Sequence, residues 1–218
     1  MQPDFYSNNL YPLQDRVLQI AEQINTKFYL TGGTALSRAW VHHRYSDDLD
    51  FFLNNDPTFS DEVKRLLDGL TAIFGNKLHR LIDSSSFHRW VIMEDDVHLK
   101  VEMINDVDFR KGVPVKTPLF FQTDTVENIA SNKISALGRN EPKDIADLLF
   151  IEKLFKPVWP SIIEDAKEKD LSVNEIEIAS LIGNYDIDLL TKIRWITKPD
   201  PESCKSILEN IAEKIVRG

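Results

Sequence analysis

The chain has 218 residues, 42% of them hydrophobic, which is enough for a globular core in one or two domains. Its formal charge of -9 argues against a protein that coats nucleic acid nonspecifically, although a local basic groove remains open. The single cysteine, Cys204, excludes an internal disulfide bond and indicates a reducing compartment. Because the start lacks a signal-like pattern and no apolar run suits a bilayer, we expect a cytoplasmic protein with no membrane partner.

The first half of the chain alternates helical and strand patterns. Apolar residues at helical spacing between Leu13 and Ile24 predict a helix, and residues 27–30 predict a short buried strand. The following stretch, TGGTALSRAW, predicts a turn at Gly32 and Gly33 that leads into a helix. The other elements predicted in this half are a helix capped by Ser60 and strands over residues 49–53, 77–82, 87–93 and 97–104.

Helical patterns then continue to the end of the chain. Asp124 and Glu127 predict a capping box at the start of a helix, and Pro142 is predicted in the first turn of the next helix. The overall pattern predicts an α/β domain over residues 1–117 and a helical domain over residues 118–218. Further helices are predicted to begin at Pro160, Ser172, Asp186 and Pro201.

Three carboxylates lie in an apolar context in the stretch SDDLDFF. A buried carboxylate is costly unless a cation or hydrogen bonds compensate its charge. Because side chains two apart on a strand share a face, Asp48 and Asp50 are expected to point toward one place. Such a pair favours a divalent cation between the two acids, and a ligand set made only of oxygen favours Mg²⁺ or Mn²⁺ over zinc.

A third acid, Glu102, has apolar neighbours on the strand predicted over residues 97–104. It is expected to share a face with Lys100 and to be able to complete a two-metal site. The alternative for all of these acids is a role in solvent only, in a turn or on an edge strand.

Two further features suit the binding of phosphate. A glycine turn that opens a helix presents free N–H groups and the positive end of the helix dipole, although Gly32 and Gly33 are equally compatible with a simple tight turn. Lys133 lies in the apolar stripe of its predicted helix, where a lysine needs a partner. It snorkels to the surface, reaches a phosphate, or forms a structural ion pair with Asp144 or Asp147 of the following helix.

The ordered motifs LTGGTAL, HRYSDDLDFF, KISAL and PKDIADLLF resemble the AbiEii/AbiGii nucleotidyltransferase toxin family over residues 25–155. The resemblance implies an α+β fold, in which a mixed sheet with polymerase-β-like palm geometry and flanking helices is followed by a helical half. With the strand pattern around Glu102, it implies metal binding by Asp48, Asp50 and Glu102. The implied catalytic residues are Asp48, Asp50, Glu102, Lys133 and Asp144, and the implied nucleotide-binding residues are Gly32, Gly33, Thr34, Ser46 and Lys133.

The function expected from this resemblance is transfer of a nucleoside monophosphate from an NTP to an acceptor hydroxyl, with Mg²⁺ or Mn²⁺ as cofactor. The resemblance further implies a toxin of a toxin-antitoxin or phage-abortive system with a cognate antitoxin. Either Glu102 or Asp144 is predicted to orient or deprotonate the acceptor.

An RNA end, such as that of a tRNA, is the acceptor that the resemblance implies, and a protein hydroxyl is the alternative. Two other classes of function stay open: a degenerate module that binds a nucleotide or a partner without turnover, and a metal-dependent phosphohydrolase. A basic rim for RNA is predicted from His42, His43, Arg44, Arg89, His98 and Lys100.

Overall fold

A computed structural model of the chain describes residues 3–217, which divide into two compact units. The first unit runs to Ala39 and also contains Tyr45–Asp108 and Pro114–Asp124. The second contains Trp40–Arg44, Phe109–Val113 and the residues from Thr125 onward. The division into domains over residues 1–117 and 118–218 stays a prediction.

The first unit is built on a five-stranded mixed sheet. Its strands are β1 Tyr29–Thr31, β2 Leu49–Asn54, β3 Leu78–Asp83, β4 Phe87–Glu94 and β5 Val97–Asp106. Their order is β1-β2-β5-β4-β3, in which β2 and β5 run parallel and every other pair is antiparallel. A mixed sheet with flanking helices, followed by helices to the end of the described chain, confirms the predicted α+β class.

Alternating side chains determine which face of β2 enters the core. Leu49 and Phe51 are fully buried, whereas Asp50 between them is half-buried on the opposite face. The parallel neighbour β5 repeats the pattern, because Val101 and Met103 are fully buried and Glu102 between them is not. The two strands therefore present their polar residues on the same face of the sheet.

The first strand begins later than the sequence predicts. The backbone N–H of Lys27 donates to the carboxylate of Glu62 at 3.0 Å, so this residue is not available to a sheet ladder. Further along, Leu30 has a second backbone neighbour, since its N–H donates to the carbonyl of Gln122 at 2.8 Å and its carbonyl accepts from the N–H of Asp124 at 2.9 Å. These bonds hold the side of β1 that is opposite its neighbour β2.

The helices before β3 follow the predicted order, with one shifted start. The predicted cap Ser60 is already inside its helix, which begins at Phe59 because Asp56 forms the preceding turn by accepting from the N–H and hydroxyl of Thr58. The helix buries Val63 and Leu66 on its inner face. The segments are α1 Pro3–Phe5, a π-helix Tyr6–Leu10, α2 Tyr11–Gln23, α3 Gly32–Thr34, a π-helix Ala35–Val41, α4 Phe59–Phe74 and a 3-10 turn Gly75–Lys77.

From Val126 onward the described chain is largely helical, as predicted. Pro142 occupies the first position of its helix, where a missing N–H costs nothing. The segments are α5 Val126–Ser135, a 3-10 turn Leu137–Arg139, α6 Pro142–Phe155, α7 Trp159–Lys169, α8 Glu175–Gly183, a 3-10 helix Ile187–Lys192 and α9 Pro201–Arg217.

One predicted cap and one predicted helix start in this half are wrong. The hydroxyl of Thr125, not Asp124, accepts from the N–H of Asn128 to cap α5, because the Asp124 carboxylate accepts from the hydroxyl of Thr31 at 2.6 Å. Ser172 does not start α8, because its hydroxyl donates to Asp170 at 2.7 Å, which closes a turn ahead of the true cap. That cap is the side chain of Asn174.

The last helix, α9, is amphipathic: it buries Cys204, Leu208 and Ile211 and exposes Val216. Burial raises the pKa of the Cys204 thiol, which keeps it protonated and unreactive at neutral pH. Within residues 3–217, no helix combines the length and the apolar character that a bilayer crossing requires.

Candidate active site

The acids of the first unit meet on the polar face of the sheet. Asp50 on β2 and Glu102 on β5 are direct partners in the parallel register, so their side chains are neighbours on one face. Asp48 lies just before β2 and is also half-buried, with its side chain 30% exposed. The third acid of the motif, Asp47, accepts a hydrogen bond from the hydroxyl of Tyr6 at 2.9 Å.

Two cations of the same unit lie among these acids. The ammonium of Lys100 is 2.8 Å from Asp48 Oδ2 and 3.4 Å from Glu102 Oε1. Arg89 on β4 is the register partner of Glu102, and its Nε donates to Glu102 Oε1 at 2.8 Å. Burial alone would lower the pKa of Lys100, but the carboxylates of Asp48, Glu102 and Asp50 raise it above its usual value. Lys100 is therefore protonated and carries a positive charge in this cluster at neutral pH.

The glycine turn lies directly against the Asp50 carboxylate. Gly32 follows β1 and has a φ of +70°, in the left-handed region that favours glycine. A Cβ atom at Gly32 would lie 2.2 Å from Asp50 Oδ2 and 3.1 Å from Asp50 Cγ. Only a residue without a side chain at position 32 therefore allows the turn and the acid to lie this close together.

Hydroxyl groups tie the start of the helix to the acidic motif. Thr34 is fully buried, and its hydroxyl donates to the backbone carbonyl of Asp48 and lies 2.9 Å from the hydroxyl of Ser46. The Ser46 carbonyl in turn accepts from the side-chain amide of Gln14 at 3.1 Å. Of the predicted nucleotide-binding residues, Gly32, Gly33, Thr34 and Ser46 therefore belong to one local structure with Asp48 and Asp50.

The donor atoms fit a hard divalent cation. Within residues 3–217, no three His, Cys, Asp or Glu side chains are arranged as ligands of one metal ion. The acids nevertheless supply only oxygen, and the Lys100 ammonium already places a positive charge between Asp48 and Glu102. Metal binding by Asp48, Asp50 and Glu102 stays a prediction that this charge distribution supports.

Lys133 and Asp144 lie in a different cluster, inside the second unit. Lys133 on α5 is 2.7 Å from Asp144 Oδ1 and 2.8 Å from Asp147 Oδ2. Asp147 also binds the guanidinium of Arg44, through Nε at 2.6 Å and Nη2 at 2.8 Å, and its Oδ1 is 2.8 Å from Nε2 of His43. The ion pair that the sequence offered as the alternative for Lys133 is present, and its predicted phosphate contact stays a prediction.

Mutual charge compensation maintains this cluster in its ionised form. Burial alone would raise the pKa of Asp147, but Arg44 and Lys133 hold it well below its usual value. Burial would lower the pKa of Lys133, but Asp147 and Asp144 raise it. Burial lowers the pKa of His43 despite its contact with Asp147, so the imidazole is neutral at neutral pH.

The predicted basic rim is wrong for two of its residues, and the remainder stays a prediction. His43 and Arg44 are 2% and 5% exposed and are occupied by Asp147, so their predicted place on an open rim is wrong. Arg89, His98 and Lys100 do share the polar face of the sheet, through the register of β4 with β5. The alternation of apolar and polar residues in β5 predicted which side chains share this face. No pattern in the sequence predicted which acid each cation contacts.

Replacing Gly32 by alanine tests the close approach of the turn to Asp50. Gly32→Ala is expected to lower the free energy of unfolding by about 1–3 kcal/mol for the left-handed backbone, and further because Asp50 must move. Gly112→Ala is the matched control, since Gly112 has the same φ of +70° but its added Cβ would meet only ordinary contacts, the nearest at 3.7 Å. Equal losses in urea unfolding would show that Asp50 does not lie against the turn.

Replacing Asp147 by asparagine tests the buried cluster. Asp147→Asn removes the negative charge shared by Arg44 and Lys133, and is expected to lower the free energy of unfolding by about 3–5 kcal/mol at pH 7. Because its folded pKa is depressed, the contribution of Asp147 is present above its unfolded pKa of about 3.9 and is lost as the pH falls below that value.

The measurement is urea unfolding of both proteins between pH 3 and 8, with the exposed Asp188→Asn as control, which is expected to change the free energy by less than about 0.5 kcal/mol. A difference between wild type and Asp147→Asn that grows toward acid pH would contradict the assignment.

Comparisons with known proteins agree with this architecture. The chain matches the family model described as nucleotidyl transferase AbiEii toxin, type IV toxin-antitoxin system, over residues 16–180. JHP933 from Helicobacter pylori is 21% identical with a TM-score of 0.63, and the alignment covers 96% of this chain and 91% of that one. A candidate nucleotidyltransferase from H. pylori is 21% identical with a TM-score of 0.64, with 100% and 96% of the two chains covered.

At this identity the two structures establish a shared fold, and comparison with curated proteins gave no match. The family match, by contrast, spans most of the chain and includes both the glycine turn and the acidic motif. The protein therefore belongs to the AbiEii family of nucleotidyl transferase toxins.

Proposed function

We propose that this protein transfers a nucleoside monophosphate from an NTP to an acceptor hydroxyl, with Mg²⁺ or Mn²⁺ as cofactor. The observation that carries the proposal is the approach of Gly32 to the Asp50 carboxylate, where a Cβ would be 2.2 Å from Oδ2. A turn that can hold phosphate and an acid that can hold a cation are therefore in contact. Membership of the family supports nucleotidyl transfer in general, and the donor, metal and acceptor are this proposal's own.

The glycine turn is assigned to the outer phosphates of the NTP. The helical segment begins at Gly32, so the backbone N–H groups of its first turn have no partners within the helix. The hydroxyls of Thr34 and Ser46, 2.9 Å apart, lie next to this turn and hold the backbone of Asp48 through the Thr34 contact. Their proposed role is to fix the distance between the phosphate site and the acids.

The reaction forms one bond and breaks one bond. The acceptor oxygen attacks the α-phosphorus, the bond from this phosphorus to the bridging oxygen breaks, and pyrophosphate leaves with the displaced electron pair. Asp48 and Asp50, with Glu102, would hold Mg²⁺, which offsets the charge of the triphosphate. The acceptor proton passes to a base, for which Glu102 and Asp144 remain the predicted candidates.

The assignments in the second unit rest on the family resemblance. Lys133 is proposed to contact phosphate, which requires it to exchange one of its contacts with Asp144 and Asp147 for an anionic ligand. Asp144 is fully buried and also accepts from Arg139 at 3.1 Å. Its proposed share in proton transfer therefore depends on release from these cations.

An RNA end is the proposed acceptor, and a cognate antitoxin is the proposed partner. The polar face of the sheet carries the cations Arg89 and Lys100, but each pairs with an acid of the same face, Glu102 or Asp48, so this face is not a net positive region. The proposal of an RNA acceptor therefore rests on the family resemblance. The family description names a type IV toxin-antitoxin system, which supports an antitoxin encoded with this protein.

The decisive experiment incubates the protein with each α-labelled NTP, MgCl₂ and total cellular RNA or lysate. Label is expected to enter RNA, with release of pyrophosphate. Asp50→Asn is expected to reduce labelling by at least about 100-fold, because the metal contributes several kcal/mol to transition-state stabilisation. The matched control is Asp68→Asn on the exposed side of α4, which is expected to label at the wild-type rate.

The form of the product separates the remaining classes of function. Sensitivity of the label to protease rather than RNase would identify a protein hydroxyl as acceptor. Phosphate release without labelled macromolecule would indicate a phosphohydrolase, and nucleotide binding without pyrophosphate release would indicate a binding module. Undiminished labelling by a folded Asp50→Asn variant would refute the site.

A further inference from the structure

The geometry points to a role for Lys100, which contacts the proposed metal ligands but is not one of them. We propose that Lys100 is a built-in counter-ion, which holds the acids together in the free protein and is displaced from Asp48 when a divalent cation binds. This inference rests on the proposed function, because it concerns the same cluster.

The ammonium of Lys100 lies between two of the acids that are proposed to bind the metal ion. It lies on β5 two residues before Glu102, on the same face, and its ammonium is 2.8 Å from Asp48 Oδ2 and 3.4 Å from Glu102 Oε1. Without it, Arg89 would still pair with Glu102, but Asp48 would lose its ion pair beside the like charges of Asp50 and Glu102, which are register partners. Lys100 therefore supplies part of the positive charge that the metal-free cluster needs.

The ammonium and a metal ion compete for Asp48 Oδ2. A divalent cation binds carboxylate oxygen at about 2.0–2.6 Å, which is closer than the ammonium now lies to this oxygen. Two cations on one oxygen would repel each other strongly in a partly buried site. The proposal is that the metal ion uses Oδ2 and that the lysine, which has a flexible stem, turns away.

The surroundings allow Lys100 to move while Glu102 stays compensated. The Lys100 side chain is 34% exposed, so its ammonium can reach solvent by rotating its stem. Arg89 keeps its own contact with Glu102, at 2.8 Å, when the lysine leaves. Because Lys100 is on the strand that carries Glu102, its displaced ammonium stays near the acids, where the triphosphate of the proposed NTP would be its new partner.

This exchange makes the binding of metal and nucleotide cooperative. Metal alone must break the contact between Lys100 and Asp48, so the lysine weakens metal binding in the absence of nucleotide. When a triphosphate is present, the displaced ammonium gains an anionic partner and the penalty becomes smaller. By linkage, the metal then strengthens nucleotide binding by the same factor.

The test measures Mn²⁺ binding to the whole protein without nucleotide, from the electron paramagnetic resonance signal of free Mn²⁺. Lys100→Met is expected to tighten Mn²⁺ binding by at least about tenfold, because the competing charge is gone. The matched control is Lys77→Met, which removes the same charge from an ion pair with Glu94 at 2.7 Å in the same unit, and is expected to change binding by less than about twofold.

A second variant, Lys100→Gln, and a second measurement, the melting temperature, test the same inference. If Lys100→Met folds poorly, Lys100→Gln keeps a polar side chain and is expected to show the same tightening. For either variant, adding MnCl₂ is expected to raise the melting temperature by more than it does for wild type, because Mn²⁺ binds the folded state more tightly.

The outcomes separate this inference from the proposed function. If Lys100→Met and Lys100→Gln bind Mn²⁺ no more tightly than wild type, while Asp50→Asn loses binding, Lys100 is not a displaced counter-ion and the proposed metal site stands. If Asp50→Asn binds Mn²⁺ as well as wild type does, the proposed metal site is wrong and this inference is refuted with it.

Discussion

Carboxylates removed from bulk water need cations supplied by the chain, and this constraint shapes both units. In the second unit the need is met completely, because Asp147 is fully buried and both of its oxygens contact Arg44, Lys133 or His43. In the first unit it is met partially, by Lys100 and Arg89 on a face that solvent reaches. A saturated cluster of this kind is structural, whereas a half-exposed one can exchange its partner.

The sheet decides which acids can act together. Burial of Leu49 and Phe51 turns Asp50 toward the opposite face, and the parallel register then places Glu102 beside it. The left-handed Gly32 brings the preceding turn against the same carboxylate. The cluster is therefore assembled from a strand, its parallel neighbour and a turn, none of which could form it alone.

Local patterns in the sequence predicted the elements well, because periodicity reports which face of an element is buried. The alternation around Leu49 and around Val101 identified both strands and the faces of Asp50 and Glu102. Caps were less predictable: Asp124 and Thr125 are both good capping residues, and the choice was made by the distant hydroxyl of Thr31, which uses Asp124.

Partners distant in sequence could not be predicted. Arg44 and His43 were predicted in a basic rim, yet both contact Asp147, 103 and 104 residues later. The contact of Lys100 with Asp48 likewise depends on the register of β2 with β5, which no local pattern encodes. The family resemblance identified the acids but gave no information about the cations that compensate them.

The parallel pairing of β2 with β5 also determines when the polar face of the sheet can assemble during synthesis of the chain. Parallel strands need a long crossover, and here it contains α4 and the strands β3 and β4. A nascent chain that has emerged only as far as β4 carries the glycine turn and Asp50 but neither Lys100 nor Glu102. The acidic cluster can therefore assemble only after β5 has been synthesised.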